Sequence, residues 1–110
     1  MGVNRSDWMV VGVDLGYDKV DEENYEYYDT YAQRDEEGEI TFLIDGMHGD
    51  YFIVGEVILA EKDEREGFGL VELDFNDEDI KESKENVRAF IKKEFNIDVE
   101  PKLLVLTHWT

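Results

Sequence analysis

A chain of 110 residues with 42% apolar and 13% aromatic side chains fits one folded domain over 1–110 and excludes global disorder. Its 29 acidic against 11 basic residues leave a net charge of -18, far beyond the roughly 2–8 that keeps a small domain soluble, so anionic membranes and nucleic-acid backbones repel it. The lack of cysteine removes disulfides and thiolate metal sites and suits a reducing, cytoplasmic setting; Met1–Asp7 does not read as a secretory leader, and no apolar run approaches the ~20 residues of a membrane span.

Trp8 to Leu15 (WMVVGVDL) is a β-branched apolar run, expected as a buried strand ended by Gly16. Asp18 to Glu37 interleaves acids with tyrosines, and two periods compete there. Tyr25, Tyr28 and Ala32 share a helical face, with Tyr27 and Tyr31 beside it, whereas Tyr25, Tyr27 and Tyr31 also alternate as in a strand. The acidic lead-in suits a helix N-terminus, and the balance leans to a short helix. Glu39–Asp45 (EITFLID) and Tyr51–Ala60 (YFIVGEVILA) flank a glycine-bracketed turn and predict a hairpin. Gly55, in mid-strand, marks a bulge or a close backbone approach.

Phe68 to Phe75 (FGLVELDF) alternates and predicts a further strand. Asn76 to Phe95 predicts a helix. Asn76 or Asp77 caps it, acids fill its first turn, Lys92 and Lys93 its last, and Ile80, Val87, Phe90, Ile91 and Phe95 form one stripe. After Pro101, Leu103–Trp109 (LLVLTHW) is apolar on both sides at its start, the pattern of an interior strand. The expected fold is α+β: one mostly antiparallel sheet of about five strands, with a long C-terminal helix and a short acidic helix on one face.

The charge is concentrated. Residues 14–39 hold eleven acids and two bases, half of the net charge. Carboxylates three or four apart on a helix lie about 5–6 Å from each other, a spacing on the scale of the phosphates along a DNA strand. Glu22, Glu26 and Asp29 can form such a row, and tyrosines are favoured as binding contacts. The candidate partner-binding set is therefore Asp21, Glu22, Glu23, Tyr25, Glu26, Tyr27, Tyr28, Asp29 and Tyr31. The competing reading is a solvated acidic face whose tyrosines fill the core.

Little else points to chemistry. Val10–Gly16 (VVGVDLG) resembles the first phosphate motif of actin-like ATPases and RNase H-like nucleases, which implies a metal-holding Asp14. The resemblance covers seven residues, and Tyr17-Asp18-Lys19 stands where a Thr/Ser-rich turn belongs. A calcium loop drawn through Asp14, Asp18, Asp21 and Glu23 misses the EF-hand spacing. His48 and His108 need not meet, and Ser6 and Ser83 lie in no nucleophile elbow. Trp8 and Trp109 are core residues or homodimer contacts. The reading is non-enzymatic, with no catalytic residue, metal or cofactor. It is an acidic binding protein of phage or mobile-element type, imitating nucleic acid to inhibit a basic nucleic-acid-processing partner. The alternative is a structural or homo-oligomeric accessory domain whose acidity serves solubility.

Overall fold

The computed structural model of the chain describes residues 4–62, 67–72 and 77–110. Four strands form one antiparallel sheet: β1 (Arg5–Asp14), β2 (Ile40–Ile44), β3 (Phe52–Glu61) and β4 (Lys102–Trp109), in the order β2-β3-β1-β4. Two helices, α1 (Tyr25–Tyr31) and α2 (Asp77–Phe95), pack on the same face, where Tyr28, Val87 and Ile91 share a core with Val13, Phe42, Phe52 and Val54. β1 and β2 run parallel with β3 between them, and β3 and β4 run parallel with β1 between them. The connectivity is thus two interleaved split β-α-β units. The 18–37 segment takes the helical alternative, led in by short 3-10 turns at Tyr17–Lys19 and Glu22–Asn24.

The hairpin of β2 and β3 is organised by a buried acid. Asp45 is 3% exposed, and its carboxylate accepts the backbone N–H groups of Met47, His48 and Asp50 at 3.0–3.1 Å. This satisfies the turn's donors from inside, as Asp does in local side-chain turns.

The sheet is strongly curled. Ser6 pairs with His108, and Asp14 pairs with Ile53, so the stretch from Ser6 to Asp14 separates these levels by about 26 Å of extended strand. Yet Tyr51 Oη lies 2.6 Å from His108 Nδ1. Diagonally opposite corners of the sheet therefore meet over its second face, where Trp8, Val10, Leu43, Ile53 and Val57 are buried. Two features permit the bend. The β1–β3 register shifts at Met9/Val10, a bulge, and Gly12 faces Gly55, where a Cβ on Gly12 would sit 2.5 Å from the Val54 carbonyl oxygen. The close approach expected at Gly55 is this one, with the bulge nearby.

α2 carries the expected stripe, with Val87 and Ile91 fully buried and Phe90 and Phe95 packed beside them. Asn96 ends it at φ 56, donating its N–H to the Lys92 carbonyl at 3.1 Å, a left-handed C-terminal cap. The chain then doubles back along the helix. Arg88 grips Asp98 through two hydrogen bonds of 2.7 and 3.1 Å, and Lys84 lies 4.0 Å from Glu100.

Two sequence expectations are corrected. Among the described residues the sheet has four strands, not about five: residues 67–72 form none, because Gly67 and Gly69 take left-handed φ values of 62 and 61 that break an extended run. The remainder of the expected strand, 73–75, lies outside the described residues. Among the described residues the Leu103–Trp109 segment is an edge strand, not an interior one, and its apolar side chains facing the helical side are exposed, with Val105 at 64%.

Candidate binding surface

The acidic segment folds as a strip on the helical side of the sheet. Asp21 caps its second 3-10 turn by accepting the Glu23 N–H at 3.0 Å, and also accepts from the Asn24 side chain at 3.3 Å. Asp21 N–H in turn donates to Tyr28 Oη at 3.0 Å. Because Tyr28 is 3% exposed, this bond ties the acidic turn to the core. The tyrosines divide by their position on the short helix. Tyr28 contacts Phe52 edge-on at 5.3 Å, Tyr31 stacks on Phe42 at 4.8 Å, and Tyr27 meets Phe42 at 5.7 Å.

Tyr28 therefore leaves the expected contact set, and Tyr27 and Tyr31 are half-buried core residues. The Tyr27 hydroxyl is buried without a well-formed hydrogen bond. Burial first, and the Glu94 carboxylate second, raise its pKa. Tyr25, at 47%, and Tyr17, at 37%, are the phenols that face solvent. Sequence reasoning missed Tyr17, whose ring lies against Gly49 of the hairpin turn. No local signal in the sequence brings those two segments together.

Asp18, Glu22, Glu23, Glu26 and Asp29 all point outward, as does Asp21 with its capping role. Among the described residues none of them forms an ion pair. The ion pairs lie elsewhere: Arg34–Glu39 at 3.3 Å, Lys62–Asp35 at 3.7 Å, Arg5–Asp7 at 3.5 Å and those of α2 with its return segment. Lys19 is the one base within 18–29. Two hollows flank α1. One of about 380 Å³ is lined by Lys19, Asp21, Asn24, Tyr27 and Glu94; one of about 220 Å³ is lined by Tyr17, Tyr25, Asp29 and Ile44. The strip so offers carboxylates, two exposed phenols and shallow sockets, the chemistry that receives basic side chains.

The other polar constellation is buried. His108 is 0% exposed, and burial pushes its pKa down against the pull of Asp45. Burial, with help from Asp45, Asp50 and Asp14, pushes the Tyr51 phenol up to about 12. Tyr51 Oη and His108 Nδ1 share one hydrogen bond, and His108 Nε2 meets no hydrogen-bond partner among the described residues. Trp8 Nε1 donates to Ser6 Oγ at 2.8 Å nearby. Trp8 is wholly buried and unavailable as a dimer contact, whereas Trp109 is 42% exposed.

Asp14 closes the end of β1. Its Oδ1 accepts the N–H groups of Gly16 at 2.9 Å and Phe52 at 3.1 Å, a structural use of the acid that the phosphate-motif resemblance would assign to metal. Among the described residues no three His, Cys, Asp or Glu side chains converge as a metal site, so Asp14, Asp18, Asp21 and Glu23 do not gather into a calcium loop. Among the described residues no helix is long and apolar enough to cross a membrane. No protein-family model, curated protein or solved structure matches the chain.

Proposed function

We propose that this chain is a non-enzymatic acidic binding protein that engages a basic, nucleic-acid-processing partner and occupies its nucleic-acid groove. The observation that carries the reading is the strip of outward carboxylates at Asp18, Glu22, Glu23, Glu26 and Asp29, unpaired by any described cation and braced from beneath by Tyr28. Like charges held this close repel one another. A basic groove relieves that repulsion and is drawn to it over long range. Tyr25 and Tyr17 supply the aromatic contacts beside the charges.

The test is capture from a lysate of the native host. The wild-type chain is expected to retain a protein with nucleic-acid-binding activity, and added nucleic acid is expected to displace it. A chain with Glu22→Gln, Glu23→Gln, Glu26→Gln and Asp29→Asn is expected to lose that protein. Equal retention by both chains would end the proposal. A second reading, an accessory domain that assembles with itself and is acidic for solubility, is favoured by the exposed apolar side chains of β4.

A further inference from the structure

The last strand has the composition of a sheet interior and the position of a sheet edge. Leu103, Val105 and Trp109 are 43%, 64% and 42% exposed on the helical side, while β1 beside them buries Val11 fully. Edge strands in monomers are blunted by charges, proline, bulges or a covering element. β4 has neither a proline nor a bulge within its span, and one charge: Pro101 precedes it, its pairing with β1 runs without a shift from Lys102 to Trp109, and Lys102, at its first position, is its sole charged residue. Among the described residues, no strand pairs with its outer edge.

Charge selects what covers that edge. In a chain with 29 carboxylates, residues 101–110 contain none. A basic segment finds no carboxylate on this strand to hold it, and an acidic segment finds only Lys102. A second copy of this same segment is the partner that brings a neutral apolar strand and no carboxylates to the contact. We propose that β4 pairs antiparallel with β4 of a second copy, forming a two-fold dimer with one continuous eight-stranded sheet.

The sequence is self-complementary in one register. Residues directly opposite in an antiparallel pair point to the same face, so a two-fold axis must pass through a residue. With Leu106 on the axis, Leu103 faces Trp109 of the second copy and Val105 faces Thr107, which partners every exposed apolar side chain of the strand. On the other face Leu104 meets His108, and Leu106 meets its own copy. With Val105 on the axis, Leu103 would face Thr107 and Trp109 would overrun the strand.

This dimer is independent of the acidic strip and is tested apart from it, on the purified full chain. Sedimentation at low and high salt is expected to show a dimer that tightens at least several-fold with salt, because salt screens the repulsion between two acidic copies. Val105→Lys, at an exposed position, is expected to give a monomer with unchanged circular dichroism. Since the chain has no cysteine, Leu106→Cys reports the register directly and is expected to cross-link to a covalent dimer under mild oxidation. A wild-type monomer at both salts overturns the proposal. So does a dimer that survives Val105→Lys, or a Leu106→Cys chain that does not cross-link.

Discussion

Tyr28 joins the acidic strip to the core through one hydrogen bond, and its cost can be measured. Tyr28→Phe removes the acceptor of the Asp21 N–H while keeping the ring among Phe42 and Phe52. The expected loss is about 1 kcal/mol, the usual net worth of such a bond, read from the midpoint of urea unfolding. An unchanged midpoint would mean that water replaces the phenol without loss. His108 makes a pH prediction. Its folded pKa is below its ordinary 6.5 because of burial, so the unfolded chain binds the proton more readily. Its contribution is full above that ordinary value and is lost as pH falls from there toward the folded pKa. Asp45 acts lower on the scale: burial by itself would raise its pKa, but the N–H groups of Asp50, His48 and Met47 outweigh it and lower it. Protonation of the many surface carboxylates relieves repulsion in acid and works in the opposite sense. The informative quantity is therefore the difference between wild type and His108→Gln. Between about pH 7 and 5 wild type is expected to lose more thermal stability than the variant; parallel curves would remove the histidine from the account.

At the scale of elements, the glycine pair at the centre of the sheet decides its shape. A Cβ on Gly12 would meet the Val54 carbonyl oxygen at 2.5 Å and Gly55 Cα at 2.9 Å, both backbone atoms that cannot step aside. Gly12→Ala is expected to cost about 1–3 kcal/mol, the range for overpacking, and to loosen the meeting of Tyr51 with His108. Gly46→Ala, at a position with nothing within 4 Å, is the matched control and is expected to stay close to neutral in the same unfolding measurement. The elements themselves were largely legible: the β1 run, the β2–β3 hairpin and the α2 stripe are all local patterns of burial. The curl was not, because it depends on Gly12 and Gly55 facing each other across strands, a pairing that no local period encodes. The edge position of β4 was misread for a physical reason as well. Apolar residues on both sides of Leu103–Trp109 report that both sides are to be covered, not which chain covers them. Residues 68–72 of the strand expected at 68–75 form none, because the alternation there ignored what Gly67 and Gly69 do to the backbone.

On the scale of the whole molecule, the charge is divided by use. In the return from α2 and around Arg34 and Lys62, carboxylates find cations. Along Asp18–Asp29 they do not, and the chain bears the repulsion there. The concentration of charge was visible in the sequence; its outward direction was not, since it depends on Tyr28, Tyr31 and Tyr27 being drawn to Phe42 and Phe52. A surface kept under such repulsion in the free state becomes more stable when neutralised by substitution, and a basic partner supplies the same relief on binding. The variant with Glu22→Gln, Glu23→Gln, Glu26→Gln and Asp29→Asn separates fold from function: its stability is expected to equal or exceed wild type while its binding fails. The most direct measurement is the dissociation constant for the captured basic partner as a function of salt, for wild type and this variant. Wild type is expected to weaken steeply as salt rises. The variant is expected to bind at least tenfold more weakly at low salt, with a flatter dependence. Equal affinity and equal salt dependence in the two chains would contradict the account.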